Sequence, residues 1–105
     1  MAEYLEPWWS TESMDAEFHR HWHEELKKEL APQHPLFGVP VKMIARGQGD
    51  DALFELLDSS GRYAVVHLTW SQQRQEPPWP STQVFEDWKA FEAVMKADHE
   101  VFQEG

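Results

Sequence analysis

Phe18, Trp22, Leu26 and Leu30 recur every four residues, the spacing that lays one apolar stripe along a helix. The pattern predicts a first helix over residues 13–31. Ser13 is placed to cap it, and Asp15 and Glu17 fall in the first turn, where the helix dipole favours acids. Lys27 and Lys28 occupy the closing turns with the favoured sign, and Pro32 and Pro35 stop the helix. The period then changes. Residues 38–46, GVPVKMIAR, read as a strand in which Pro40 removes a ladder donor, placing it at an edge or giving it an irregular start. Residues 52–58, ALFELLD, and 62–70, RYAVVHLTW, read as two more. Asp58-Ser59-Ser60-Gly61 between them predicts a type I turn with Gly61 in the left-handed position.

That turn sets Leu56 opposite Ala64 and Phe54 opposite Val66. One sheet face then carries Phe54, Leu56, Ala64, Val66, Leu68 and Trp70 and is wholly apolar. The other carries Leu53, Glu55, Leu57, Tyr63, Val65, His67 and Thr69 and is mixed. Residues 71–81 read as a loop. Ser81 or Thr82 caps a last helix over about 83–103, with Phe85, Trp88, Phe91, Met95 and Phe102 at three-and-four spacing and His99 in the same stripe. The expected fold is α+β, a three-stranded antiparallel meander with an N-terminal and a C-terminal helix (α-β-β-β-α). The helices are expected to cover mainly one face. Residues 1–105 are expected to form one domain, with 1–12 an N-terminal arm and 13–104 the core. Adjacent side chains cannot easily share a face, so Trp8 and Trp9 in the arm are expected to do different jobs.

Charge narrows the function. Nineteen acids stand against nine Lys and Arg, a net charge of −10. That balance argues against general nucleic-acid or anionic-membrane binding. Cysteine is absent, which removes disulfide scaffolds, Cys-ligated zinc, iron–sulfur centres and thiol nucleophiles. The first ten residues have neither a basic nor an apolar leader segment, and no apolar run has membrane-spanning length. A cytoplasmic location is the expectation, and no cofactor is implied.

Candidate chemistry is sparse. In the run Phe18-His19-Arg20-His21-Trp22-His23, Asp15, His19 and His23 form one line on a helix, a set that could hold a first-row metal ion. The preferred reading of that edge is solvated histidines beside the apolar stripe. His67 stands mid-strand, diagonal to Glu55 in the expected register, so Glu55 could orient its imidazole as a base. A hydrogen-bonded sheet histidine is the preferred alternative. His99 is expected to be buried with one carboxylate or carbonyl partner. The pairs Glu24/Glu25, Asp50/Asp51 and Glu86/Asp87 read as solvated surface. Pro77-Pro78-Trp79-Pro80 could be a polyproline II ligand, although a stiff loop clamping Trp79 over the core is preferred. No GxSxG elbow, Walker loop or GxGxxG motif occurs.

The stretch Leu53–Asp58, then Gly61-Arg62-Tyr63-Ala64-Val65-Val66-His67-Leu68-Thr69-Trp70, resembles a family of small bacterial proteins with no settled activity. The resemblance runs on through Pro78-Trp79-Pro80 to Trp88 and Asp98-His99, about residues 34 to 100. It implies a bacterial cytoplasmic protein and carries over no catalytic residue.

Elimination therefore leads to a small acidic protein-binding module without catalysis, masking a basic partner in the manner of an immunity protein or antitoxin. Trp8, Trp9 and Trp79 are the expected anchors. The alternative is a small-molecule or metal-dependent activity on the mixed face, using Glu55, Tyr63 and His67. A homodimer through that same face is compatible with either.

Overall fold

The computed structural model describes residues 4–77 and 79–104. Residues 1–3 of the expected arm, and Pro78 of the proline-rich loop, lie outside the described residues. In chain order the elements are β1 (Trp9–Ser10), α1 (Ala16–Glu29), β2 (Val41–Arg46), β3 (Asp51–Leu56), β4 (Tyr63–His67), β5 (Ser81–Phe85) and α2 (Trp88–Glu104). The α+β class stands, but the sheet has five strands in the order β1-β2-β3-β4-β5 instead of three. All four pairings are antiparallel. Among the described residues, no helix is long and apolar enough to cross a membrane.

Both extra strands lie where the sequence pattern is weak. β1 is two residues of the arm, pairing Trp9 with Arg46 and Ser10 with Ala45. β5 occupies the segment expected to open the last helix. Phe85 keeps helical spacing with Trp88 and Phe91, yet it sits in a strand opposite Tyr63. Its side chain joins the same apolar cluster as Phe91 and Met95, so the stripe runs unbroken across a strand-to-helix boundary. The helix starts later, where Asp87 Oδ1 accepts from Ala90 N at 2.9 Å. The first helix is also shorter than expected. Its cap is Asp15, not Ser13, and Asp15 Oδ1 accepts from Phe18 N at 2.8 Å.

The β3–β4 register slips by two residues from the expected one, with Phe54 opposite Ala64 and Ala52 opposite Val66. An even slip leaves every side chain on its expected face. Phe54, Leu56, Ala64, Val66 and Leu68 pack in one cluster with Trp22 and Leu26 of α1 and with Leu30, which caps its end. Leu53 packs in a second cluster with Phe91 and Met95 of α2, and Tyr63 and Val65 lie against it. The helices therefore cover opposite faces, which corrects the expectation of one covered face. It also closes the mixed face as a surface for a second copy.

A bulge in β2 serves this two-sided core. The register skips Ile44 between Met43 and Ala45, which reverses the facing of the strand beyond it. Val41 and Met43 lie with the α1 cluster, whereas Ile44 and Ala45 lie with the α2 cluster. Arg46 is thereby turned toward α1, its guanidinium 4.6 Å from the Trp22 ring and 5.6 Å from that of Trp9.

Candidate functional site

The end of the sheet that holds the β2–β3 turn is the place where charge and exposed apolar surface meet. The last turns of α2 lie beside the N-terminal arm there. Trp8 is 4% exposed, its ring edge-on to Phe91 at 5.1 Å. Its indole Nε1 donates to Asp98 Oδ2 at 3.1 Å. One residue on, His99 Nδ1 meets the Glu6 carbonyl at 2.7 Å, the kind of partner expected for it, although the ring is partly exposed and not buried as expected. Gly47 also closes against Trp8. A Cβ on Gly47 would stand 2.9 Å from Cζ2 and Cη2 of the indole, so only glycine admits the ring in this place.

Between these elements lies a groove of about 500 Å³, lined by Pro7, Trp8, Gln48, Asp51, Asp98, Val101 and Phe102. Asp51 Oδ1 also meets His67 Nδ1 at 2.8 Å. Among the described residues, no Lys or Arg bridges Asp51 or Asp98. Val101 is 69% exposed and Phe102 43%; the apolar stripe of the last helix was expected to include Phe102 but turns outward before it. The groove thus offers two carboxylates beside bare apolar surface. That combination fits a side chain with an apolar stem and a cationic head.

The residues singled out in the sequence are dispersed. Trp8 is core and cannot serve as an exposed anchor. Trp9, its neighbour, points to the other side of the sheet, over Arg46, so the two do separate jobs. Trp79 is half exposed rather than clamped over the core. Tyr63 is partly buried, its ring edge-on to Trp88 at 5.4 Å, and burial, then the Glu55 charge, pushes its pKa up. Tyr4 packs on the same Trp88 ring at 5.8 Å. Burial first, then Tyr63, lifts Tyr4 to about 12. Glu55 stands opposite Tyr63 and His67 opposite Asp51. Those positions are four residues apart along β3, roughly 13 Å at strand rise. The structure does not bring Glu55 and His67 together, and His67 has Asp51 instead.

The Asp15, His19 and His23 line is likewise occupied by structural tasks. Asp15 caps α1. His19 Nε2 meets the Thr11 carbonyl at 2.7 Å. His23 Nε2 accepts from Met43 N at 3.0 Å, and burial, then His19, lowers its pKa. That keeps the ring neutral and able to accept. Among the described residues, no group of three or more His, Cys, Asp or Glu is placed to hold a metal ion.

Sequence reasoning missed three buried ionisable residues. Glu25 and Glu29, expected as surface or not singled out, are 4% and 0% exposed. Glu29 Oε1 accepts from Thr69 N at 3.0 Å and Oε2 from Trp70 N at 2.9 Å. Glu25 Oε2 accepts from Gln72 N at 3.0 Å. These bonds hold the β4–β5 loop to α1 through positive-φ residues Trp70 and Gln72. A signal was present: Glu25 and Glu29 follow Trp22 and Leu26 by three, on the flank of the apolar stripe. His34 is the third, 5% exposed. Its Nδ1 accepts from Leu36 N at 3.0 Å, leaving Nε2 to donate toward Pro80 O at 3.2 Å and Thr82 Oγ1 at 3.1 Å. All three brace the loop and strand that the sequence pattern left undefined. No family model matches the chain, and no curated protein or solved structure matches it.

Proposed function

We propose that this chain is a non-catalytic, acidic binding module that masks a basic protein partner, in the manner of an immunity protein or antitoxin. The observation that carries this reading is the groove beside α2, where Asp51 and Asp98 adjoin exposed Val101 and Phe102 without a bridging Lys or Arg among the described residues. A Lys or Arg of the partner lays its stem on Val101 and Phe102 and its cationic head between the carboxylates. The net charge of −10 draws such a partner from a distance, and salt weakens that pull. Trp9, 39% exposed, is the aromatic of the arm available for contact.

The test is affinity capture from cell lysate with the wild type and a D51N/D98N variant, at low and high salt. The amide that D98N introduces keeps an oxygen able to accept from the Trp8 indole, so the variant retains its core contact. A basic protein retained in stoichiometric amount by the wild type at low salt, and lost both at high salt and from the variant, supports the proposal. Retention unchanged by D51N/D98N, or a retained partner that is itself acidic, overturns it.

A further inference from the structure

The two edges of the sheet are treated in opposite ways. The β2 edge is closed by several devices. The short β1 pairs with its far half, and Thr11 N extends that pairing to the Ile44 carbonyl at 3.1 Å. The bulge at Ile44 bends the strand, and the neutral His23 ring takes up the Met43 amide at 3.0 Å. Such features keep an edge from pairing with another chain.

β5 has none of them. Its five residues, Ser81-Thr82-Gln83-Val84-Phe85, contain no charge, no proline and no bulge in their pairing with β4. The ladder pattern tells which of its backbone groups face out. Leu56 N bonds the Arg62 carbonyl and Leu68 N the Asp50 carbonyl, so the even-numbered residues of β4 bond β3. The odd-numbered ones then bond β5, through Phe85, Gln83 and Ser81. The N–H and C=O groups of Thr82 and Val84 therefore point away from the sheet. Among the described residues no hydrogen bond takes them up; His34 reaches the Thr82 hydroxyl and, just ahead of the strand, the Pro80 carbonyl. Beside this edge Val84 is 38% exposed and Trp79 51%.

We infer that β5 is a dimerisation edge, occupied by β5 of a second copy in antiparallel pairing about a two-fold axis at Gln83. In that register Thr82 of one copy faces Val84 of the other, so all the outward groups of both residues are paired. Glu86 falls across from Pro80 and Asp87 across from Trp79, so no acid meets an acid. Charge selects the occupant. An edge made for a strand of a basic protein would carry acids, and β5 carries none. On a chain of net charge −10, an uncharged edge lets a like-charged copy approach closely. The dimer joins two sheets into one and leaves the groove beside α2 free. Its salt response is opposite to that of the basic partner: screening the mutual repulsion strengthens it.

The test is the mass of the purified chain by sedimentation equilibrium at low and high salt, with amide exchange measured in parallel. A mass of twice the 12.4 kDa monomer is expected at high protein concentration, with the dimer fraction rising with salt. Exchange at Thr82 and Val84 should slow as the dimer forms. Q83K sets two lysines directly across the axis and should return the monomer mass, although it lowers the net negative charge. V84P removes an outward N–H without touching the β4 ladder and should do the same. A monomer mass at high concentration and high salt overturns the proposal. So does a dimer that persists in both variants, a dimer weakened by salt, or exchange at Thr82 and Val84 that ignores protein concentration. The wild-type exchange result stands even where a variant folds poorly.

Discussion

Replacing Glu29 by glutamine tests whether the β4–β5 loop is held by a buried carboxylate. The side chain has no exposed surface, and its two oxygens accept from adjacent backbone amides, Thr69 N at 3.0 Å and Trp70 N at 2.9 Å. A hydrogen bond to a charged group contributes about 1.5–3 kcal/mol, and an orphaned buried donor costs about 1–3 kcal/mol. Glutamine keeps one accepting oxygen but turns an NH2 toward the other amide. One charge-assisted bond is lost, one is weakened, and two donors face each other. E29Q should therefore lose about 2–4 kcal/mol, a large share of the roughly 5–15 kcal/mol that holds a domain folded. Urea unfolding followed by circular dichroism reads this as a lower midpoint at unchanged slope. Amide exchange at Thr69 and Trp70 should quicken beyond the global change. A loss below about 0.5 kcal/mol, the range of ordinary surface substitutions, would show that the loop is held by its other contacts and would refute the assignment.

Two further predictions concern the neighbourhoods of the loop and the groove. Glu25 is held above the ordinary carboxyl value of 4.5, first by burial and then by its hydrogen bond with Glu29. The native chain therefore binds this proton more tightly than the unfolded chain, and that contribution is present below pH 4.5 and lost as pH rises through the raised value. E25Q removes the dependence, so its stability relative to wild type should climb from acid toward neutral pH; urea midpoints across a pH series check this, and a flat difference contradicts it. G47A should cost about 1–3 kcal/mol by driving a methyl into an indole held in place by its hydrogen bond to Asp98. G49A meets no atom within 4 Å and carries only the strain of its φ of +67°. The Trp8 indole N–H resonance should shift in G47A and stay in place in G49A.

The groove shows why function was harder to read than fold. Asp51, Asp98 and Trp8 lie in a strand, a helix and an arm, and nothing in their spacing associates them. Docking of the arm under α2 brings them together. The buried glutamates are a related case. A Glu on the flank of a helix stripe is ordinarily solvated. Glu25 and Glu29 are buried because a loop with positive-φ residues presents bare amides to them.

Local pattern alone determined a good deal. The four-residue spacing from Phe18 to Leu30 marks α1. The alternation from Leu53 to Leu68 assigns every side chain to its face, because strand side chains alternate strictly and an even register slip preserves the sides. Gly61 takes the left-handed position expected of it, with φ of +73°, although Ser59 at +66° shows that the turn is not the expected type I. Tertiary structure decided the rest, for one physical reason: short strands have no stability of their own and exist only where a neighbour offers a ladder. β1, two residues long, and β5, with Phe85 in helical spacing to Trp88, become strands only because β2 and β4 present open edges. The mixed face of β3 and β4 was readable as mixed. That α2 covers it, leaving the outer edge of β5 unpaired among the described residues, follows only from the path of the chain in space.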